Sequence, residues 1–303
     1  MPTNPLQSTA TSRSEAAAAD GAGAAEGALP NLVVIGAQKC GTSGLHYYLS
    51  LHPEVSMSRP KELNFFIEER NWPRGVDWYR RHFDPRARVR GESSPNYTAF
   101  PQHDGVAARM HSLLPDARLI YLIRDPVERI AAHWVHNYAK RRERGNLRST
   151  LLHPQTSYLA RSQYHMQLQQ FLKLYDREQL LVIEQVELRD ERAATLRRVF
   201  EFVGVDPGFT HPRFRAERHQ TSRKQRSSRL ALRLERASRA RRARLLPSTV
   251  WVGLDALLPL RRPIERPDVR AALTADELRV LREDAESLSE LTGRTYEHWS
   301  IWD

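Results

Sequence analysis

A short glycine-bounded segment near the start of the chain has the residue types of an anion-binding loop. Residues 36–44 read GAQKCGTSG, and they follow the apolar run LVVI at 32–35. A strand that leads through such a loop into a helix points backbone N–H groups and the positive helix end at one spot, where a phosphate binds. An ordinary βα turn is the alternative. The candidate binding residues are Lys39, Cys40, Gly41, Thr42 and Ser43.

The glycine spacing matches a nucleotide-binding P-loop, but the lysine lies elsewhere. Gly36 and Gly41 are separated as in G-x-x-x-x-G-K-[ST], whereas Thr42 follows the second glycine and Lys39 lies inside the loop. The loop therefore indicates a phosphate group without fixing the kind of donor. A P-loop kinase and a non-catalytic nucleotide-binding protein both stay as alternatives.

A second charged motif follows another apolar run. The segment LIYLI at 119–123 leads into Arg124, Asp125 and Pro126, and proline suits the first position of a helix. Because an arginine can donate to two phosphate oxygens at once, Arg124 is a candidate for binding a second phosphate. A helix start with a local ion pair is the alternative for this motif taken alone.

The two motifs, in this order, resemble those of the sulfotransferases that use 3′-phosphoadenosine 5′-phosphosulfate (PAPS). The family's 5′-phosphosulfate loop is similar to GxxKxGTT, and its 3′-phosphate motif to a strand followed by R-[DN]-P-x-x-R-x-x-S. This chain has Ser43 for the second threonine and Ala132 for the serine. The resemblance implies a P-loop-like parallel β-sheet flanked by helices, in three αβα layers, with PAPS held by residues 39–43 and Arg124.

Two further segments resemble the branch of that family that modifies glycans, the heparan-sulfate type. In KELNFF, Glu62 precedes an apolar-aromatic run where the branch has its catalytic base. The resemblance therefore implies that Glu62 is the base. The segment GESSPNY at 91–97 is similar to the branch's substrate segment E-K-[ST]-P-x-Y, with Ser93 where a lysine is common.

Histidines on the helix after Arg124 are further candidates. His136 follows Ala132 by four residues and lies on the same helix face. In some family members with a glycan acceptor a histidine at this position joins the active site, and the resemblance implies that role for His136. His133, on the neighbouring face, is the competing candidate. No metal site is predicted, because these histidines lack a third ligand at a recognisable spacing.

The implied reaction is in-line transfer of a sulfuryl group from PAPS to a small-molecule, glycan or glycolipid acceptor. A hydroxyl is the expected acceptor group, with an amine as the second choice. Lys39 and the loop amides would stabilise the leaving 5′-phosphate, and Glu62 would accept the acceptor's proton. Magnesium is not expected, because a monoanionic sulfuryl group needs less neutralisation than a triphosphate.

The order of predicted elements gives the scaffold for these motifs. Strands that alternate with helices predict a parallel α/β sheet. Near the C-terminus, Thr274 and Glu277 form a capping box before an amphipathic stripe at 278–291. The predicted strands are 32–35, 119–123 and 180–183, and the later predicted helices are 163–174 and 192–203.

Composition places the chain among globular proteins. Its 303 residues are 40% hydrophobic and 27% charged, with 1 cysteine, so no intramolecular disulfide can form. Residues 1–30, rich in Ala, Ser and Gly, are expected to be a disordered leader, and residues 31–303 to form one sulfotransferase domain. No apolar stretch predicts a transmembrane helix, and no signal segment is recognised, so a cytoplasmic location is expected.

The formal net charge of +11 is concentrated in one segment. Between residues 213 and 244, thirteen Arg or Lys residues stand against two Glu, and the rest of the chain is balanced. Nucleic-acid binding is not predicted, because Phe214 is the single aromatic residue there and no docking motif is present.

The C-terminal third holds this basic stretch within a basic and apolar arm, residues 213–266. In HQTSRKQ, Arg223 and Lys224 resemble the family's late loop over the 3′-phosphate. The following segment, 229–262, is Arg-rich and then apolar. It is interpreted either as a lid on the core or as a surface that contacts an anionic membrane or an amphiphilic acceptor.

Overall fold

The computed structural model describes most of the predicted domain, and for 225–227 and 261–263 it describes the backbone alone. The predicted leader lies outside the described residues up to residue 26, as do Arg223 and Lys224 and nearly all of the segment 229–262. The described ranges are 27–143, 146–151, 157–215, 225–227 and 261–303.

Five parallel strands form the central sheet, in the order β2-β3-β1-β4-β5. The central strand β1 pairs with both β3 and β4, and all its residues are buried, as expected for a parallel sheet covered on both faces. The predicted parallel β-sheet flanked by helices is confirmed. The strands are β1 Leu32–Gly36, β2 Val55–Met57, β3 Val89–Ser93, β4 Arg118–Ile123 and β5 Leu180–Glu184.

Helices connect and flank these strands. They are α1 Thr42–Leu49, α2 Val76–Arg80, α3 Val106–Leu113, α4 Pro126–Ala139, α5 Leu147–Leu151, α6 Tyr164–Leu172, α7 Gln185–Asp190, α8 Arg192–Val203, α9 Val269–Ala272 and α10 Ala275–Thr292. Short 3₁₀ helices span Trp72–Arg74, Ala160–Ser162, Arg177–Gln179 and Pro212–Arg215. A two-stranded antiparallel sheet joins β6 Gln225–Ser227 to β7 Arg261–Pro263.

Local sequence explains where the main site helix begins. The Asp125 carboxylate accepts hydrogen bonds from the N–H groups of Val127 at 2.8 Å and Glu128 at 3.2 Å, with Pro126 in the first position of α4. The other Asp125 oxygen accepts from Ser300 N at 2.7 Å and Ser300 Oγ at 2.6 Å. Asp125 therefore starts α4 and also fixes the C-terminal segment beside β4.

Two strands, β2 and β3, are absent from the sequence-based prediction. β2 has three residues, and β3 reads VRGES, so neither shows the apolar run that marks β1, β4 and β5. β3 is nevertheless paired on both sides, by β2 and β1. Its C-terminal end places Glu92 and Ser93 next to the loop that follows β1.

The sequence motifs converge because the sheet is parallel. The loops that follow β1, β3 and β4 all leave the sheet at the carboxyl ends of the strands. The strand order reverses at β1, in the middle of the sheet. Ligands of open α/β sheets bind at the carboxyl ends of the strands beside such a reversal. Within the described ranges, no helix combines the length and apolarity needed to cross a bilayer.

Candidate active site

The loop between β1 and α1 leaves a row of backbone N–H groups open. Gly41 has a φ of 98° and Lys39 a φ of 77°, so the chain passes through left-handed conformations before α1 begins at Thr42. In the part of the chain that the structure describes, the N–H groups of Gly41, Thr42 and Ser43 donate to no protein acceptor. With the N-terminal end of α1 they form a cradle that suits a phosphate or sulfate group.

Gly36 allows the loops after β1 and β3 to pack closely. A Cβ at this position would overlap the Thr98 hydroxyl and crowd the ring of Tyr121. Thr98 Oγ1 donates to the Ile35 carbonyl at 3.2 Å, which ties the two loops together. The first glycine of the motif, at the base of the cradle, is therefore required because there is no room for a Cβ.

Cys40 lies beneath the cradle. Its side chain is fully buried, with Sγ 3.7 Å from Tyr164 Oη, and burial raises the pKa of the thiol. Its N–H donates to the Ala37 carbonyl at 3.2 Å. Cys40, predicted as a donor contact, is thus placed to shape the loop, because both its N–H and its thiol already face protein groups.

Lys39 extends from the loop towards α4. Its Nζ lies 3.4 Å from Nδ1 of His136, a residue 97 positions away in the sequence. His136 lines an open cleft of about 710 Å³ whose wall also includes Gln38 and Glu62. The fold therefore brings His136 and Glu62 to one cleft, with Lys39 in contact with His136, although the three were predicted from separate segments.

His133, the competing histidine, is almost fully buried, so a bound acceptor has little access to it. It is 5% exposed, although it forms part of the cleft wall, and its Nδ1 lies 3.4 Å from Arg129 Nη1. Burial, followed by the charges of Arg129 and Arg161, lowers the pKa of His133 well below its ordinary value. His133 therefore stays neutral at physiological pH.

Glu62 lines the cleft from a constrained backbone. Its φ is 66°, and its N–H donates to the Ser93 carbonyl at 3.1 Å. Its carboxylate is 47% exposed and accepts a hydrogen bond from Lys61 Nζ at 2.9 Å. A half-exposed carboxylate on a fixed backbone can take a proton from a molecule bound in the cleft.

Ser93, at the position where the glycan branch commonly has lysine, is buried below Glu62. It is 0% exposed, and its Oγ lies 2.9 Å from Nδ1 of His46 in α1. Burial, followed by the charges of Lys61 and Arg59, lowers the pKa of His46 to about 4. Neither Ser93 nor His46 therefore supplies the positive charge of the lysine that the glycan branch commonly has here. The ammonium group beside Glu62 belongs to Lys61.

Arg124 emerges after β4 and is held by a carboxylate on α4. Glu128 accepts a hydrogen bond from Arg124 Nη2 and also pairs with Arg266. Burial alone would raise the pKa of Glu128, but the two arginines lower it, so the carboxylate stays ionised. Within the described residues Glu128 takes one of the five guanidinium N–H donors of Arg124, and the others can serve a ligand.

The second arginine of the motif, Arg129, is a core residue. It is 0% exposed, and its guanidinium donates to Ser162 Oγ at 2.6 Å and to the Tyr158 carbonyl at 2.6 Å. Ala132, one turn further along α4, is 3% exposed. Arg129 thus fastens the segment around residues 158–162 to α4.

Arg161 is a cleft residue that the sequence motifs do not indicate. It is 5% exposed, and no carboxylate among the described residues lies within ion-pair distance of it. Burial, followed by repulsion from Arg129, lowers the pKa of Arg161 to about 9. A buried cation without a counter-charge favours an anionic group in the cleft. The guanidinium donates to Gln102 Oε1 at 2.8 Å, Asn96 Oδ1 at 3.0 Å, Ser157 Oγ at 3.0 Å and Gln38 Oε1 at 3.3 Å.

The described residues contain no group of three His, Cys, Asp or Glu side chains close enough to hold a metal ion. The charged groups that line the cleft are instead organic cations and the carboxylates of Glu62 and Glu143. The site combines a central-strand loop with open amides, an arginine after the neighbouring strand and a carboxylate in the adjoining cleft. This arrangement suits a phosphate-bearing donor together with a second molecule.

Comparison with known proteins identifies the family. A family model described as "Sulfotransferase domain" matches residues 29–241, more than half of the chain. The chain therefore belongs to the sulfotransferase family, whose members use PAPS as donor. A crystal structure of a sulfotransferase from Alicyclobacillus acidocaldarius is 25% identical, with a TM-score of 0.65 over 90% of this chain and 99% of that chain.

Curated relatives match part of the chain. The bifunctional heparan sulfate N-deacetylase/N-sulfotransferase 2 of Bos taurus is 30% identical over 211 residues, which cover 61% of this chain and 23% of the relative. The membrane-associated sulfotransferase kil1 of Dictyostelium discoideum is 39% identical over 106 residues, which cover 33% of this chain and 21% of the relative. The matched part thus spans less than a quarter of each relative's length.

Proposed function

We propose that this protein transfers a sulfuryl group from PAPS to a hydroxyl, or secondarily an amine, of a glycan-like acceptor. The proposal depends chiefly on one observation. Lys39, next to the open amides after β1, reaches His136 in the same cleft that presents the half-exposed carboxylate of Glu62. Donor-binding and proton-accepting groups therefore face one space.

The residues present fit a donor with two anionic ends. The N–H groups of Gly41, Thr42 and Ser43, together with Lys39, suit the 5′ end. Arg124, after the adjacent strand β4, is 21% exposed and suits the 3′-phosphate. Arg266 is a second cation beside Arg124, because Glu128 pairs with both arginines.

Each side chain of the site has a separate role in the proposed reaction. Bound PAPS supplies the sulfuryl group, whose sulfur bonds to the acceptor oxygen as its bond to the 5′-phosphate oxygen breaks. Glu62 accepts the proton that the acceptor hydroxyl loses. Lys39 and the loop amides stabilise the negative charge that grows on the leaving 5′-phosphate, and His136 holds the Lys39 ammonium on the cleft side of the loop.

The charge of the cleft wall favours an acidic acceptor. Its cations outnumber its carboxylates, and Arg161 has no carboxylate partner among the described residues. Several relatives are named as heparan sulfate N-sulfotransferases, and this likeness supports a glycan acceptor. The cations are Arg70, Lys140, Arg142 and Arg161, and the carboxylates are Glu62 and Glu143.

Ligand-dependent thermal stability tests the donor site. We expect adenosine 3′,5′-bisphosphate to raise the melting temperature more than AMP, ADP or Mg-ATP at equal concentration, because a ligand stabilises by RT ln(1 + [L]/Kd). Arg124→Gln should reduce the advantage of the bisphosphate over AMP. A preference for Mg-ATP would support the P-loop kinase instead, and no response to any nucleotide would contradict a donor site.

Turnover tests the role of Glu62. Transfer of labelled sulfate from PAPS would be followed on acidic and neutral oligosaccharides that carry free hydroxyl and amino groups. We expect Glu62→Gln to lose at least about 100-fold in turnover while it binds the bisphosphate normally, since general-base catalysis contributes on this scale. Glu68→Gln is the matched control, because Glu68 is 69% exposed and pairs with Arg109. Equal rates for both variants would remove Glu62 from the mechanism, and a binding protein without turnover would support the non-catalytic alternative.

A further inference from the structure

A buried carboxylate that the proposed mechanism does not use lies directly below the Glu62 segment. Glu92, in β3, is 0% exposed, and no cation among the described residues lies within ion-pair distance of it. Its two oxygens accept hydrogen bonds from three hydroxyl groups. Oε1 binds Tyr79 Oη at 2.6 Å and Tyr97 Oη at 2.7 Å, and Oε2 binds Ser94 Oγ at 2.7 Å.

Two of these hydroxyls also hold the backbone that carries Glu62. Ser94 Oγ accepts from the N–H of Asn64 at 2.9 Å, and Tyr97 Oη accepts from the N–H of Phe65 at 2.9 Å. The Asn64 amide group in turn donates to the Glu62 carbonyl at 2.7 Å. The chain of hydrogen bonds therefore runs from the buried carboxylate to the segment 62–65.

The held backbone is unusual at Glu62. Glu62 has a φ of 66°, in the left-handed region that a glutamate rarely adopts, and Asn64, with a φ of 48°, follows it in the same region, which asparagine tolerates. Such a conformation persists when the surrounding structure fixes it, and residues held this way cluster at functional sites. The hydroxyls of Ser94 and Tyr97 supply that fixation from below the cleft.

The chemistry of Glu92 sets the direction of the hydrogen bonds. Ser94 Oγ and Tyr97 Oη each accept a hydrogen bond from a backbone N–H, so their own hydrogens are free to turn towards the Glu92 oxygens, which accept them. Burial raises the pKa of Glu92, and the three hydroxyl groups act against that rise. A glutamine at this position would present an NH₂ group to at least one hydroxyl and leave that hydrogen without an acceptor.

We propose that Glu92 is a positioning residue for the reaction: through Ser94 and Tyr97 it fixes the backbone of residues 62–65 and thereby the aim of the Glu62 carboxylate into the cleft. The inference rests on the proposed role of Glu62 as the base. It assigns a function in catalysis to a group that touches neither donor nor acceptor.

Two tyrosines provide a matched pair for the test. Tyr79 and Tyr97 are both buried, at 0% and 2% exposure, and both donate to the same Glu92 oxygen. Tyr97 alone of the two accepts from the Phe65 N–H. Tyr→Phe keeps each ring, including the stacking of Tyr79 on Phe65 at a centroid distance of 4.2 Å. The two variants therefore remove the same bond to Glu92 and differ in the link to the segment 62–65.

We expect the two variants to melt at similar temperatures and bind adenosine 3′,5′-bisphosphate equally, while their rates differ. Tyr97→Phe should lower kcat about 10- to 100-fold more than Tyr79→Phe, because a small misplacement of a catalytic group costs this much. Hydrogen exchange of the Phe65 amide should speed up in Tyr97→Phe and not in Tyr79→Phe. Glu92→Gln should give the kcat loss of Tyr97→Phe and also faster exchange at Asn64.

The outcomes separate this inference from the proposed function. If Glu62→Gln abolishes turnover but the two tyrosine variants lose kcat equally, Glu92 has only a structural role and the inference is overturned alone. If Glu62→Gln keeps full turnover, the base assignment fails, and the positioning role fails with it. Unequal kcat with faster exchange at Phe65 supports the inference, even where Glu92→Gln itself does not fold.

Discussion

Glu187, in α7, offers a quantitative test of how the C-terminal segment is attached to the site edge. Its carboxylate lies 2.8 Å from Arg294 Nη2 and 3.2 Å from Arg198 Nη2, and it accepts the Glu184 N–H at 2.8 Å. The side chain is 15% exposed. Burial would raise the pKa of Glu187, but the hydrogen bonds from Arg294, Arg198 and the Glu184 amide lower it from 4.5 to about 2.

The lowered pKa sets both the size and the pH range of the effect. A carboxyl group with a lower pKa in the folded state stabilises the fold above its unfolded pKa, and the contribution disappears as the pH falls through the folded value. The gap between 4.5 and about 2 corresponds to about 3 kcal/mol, at 1.36 kcal/mol per pH unit. This stability is therefore complete above about pH 4.5 and is lost between pH 4.5 and 2.

Urea unfolding of Glu187→Gln measures this contribution. At pH 7 we expect the variant to be about 2–3 kcal/mol less stable than the wild type, and the difference to shrink as the pH approaches 2. Asp190→Asn is the matched control, because Asp190 is 54% exposed in its pair with Arg189 and an exposed ion pair contributes little to stability. If the difference in stability between Glu187→Gln and the wild type stays constant from pH 7 to 3, packing and not the ion pair holds the C-terminal segment.

Three further predictions concern the donor loop, the cleft and metal dependence. Gly41→Ala should lower the free energy of unfolding by about 1 kcal/mol or more and weaken bisphosphate binding, because Gly41 has a φ of 98°. Gly44→Ala is the control and should do neither, because there is space for a Cβ at Gly44. Urea unfolding measures the stability of the two variants, and calorimetry measures their binding. Arg161→Gln should lower turnover on an acidic oligosaccharide about 10-fold or more relative to its neutral counterpart, and an unchanged ratio would contradict an anion contact. A chelator should leave sulfuryl transfer at full rate, because Lys39 and the amides meet the smaller charge of a sulfuryl group; a strict metal requirement would contradict this.

The strands and helices that carry the candidate donor site could be predicted because their signals are local. β1, its loop and α1 follow one another within the segment 32–49, and the Asp125 cap and Pro126 mark the start of α4 beside Arg124. The capping box of Thr274 and Glu277 is also confirmed, with hydrogen bonds of 3.2 Å and 2.8 Å. Apolar periodicity, caps and glycine placement act over a few residues, so the sequence carries them directly.

The acceptor half could not be predicted in the same way, because its contacts are distant in sequence. Arg161 reaches Gln38 and Asn96 across 123 and 65 positions, and no motif marks it. β3 has no apolar run, because the side chains of Met57 and Leu32 occupy the space over Gly91, where a Cβ would clash, and because the strand carries the buried Glu92. Glu92, Ser94 and Tyr97 fall within the segment GESSPNY that the sequence does mark, but the contacts that join them to Asn64 and Phe65 span 30 and 32 positions and leave no local pattern.

The two halves of the site consequently respond differently to substitution. The donor cradle itself is built from backbone N–H groups, so substitution within it alters binding where it disturbs φ, as at Gly41, whereas Lys39 and Arg124 would bind the donor through their side chains. The cleft wall is built from side chains such as Arg161 and Arg142, and these can change the acceptor without moving the cradle. Glu62 joins the halves, and its orientation depends on the buried hydroxyls below it. Substitution in the wall should therefore shift acceptor preference, whereas substitution beneath Glu62 should lower the rate for every acceptor alike.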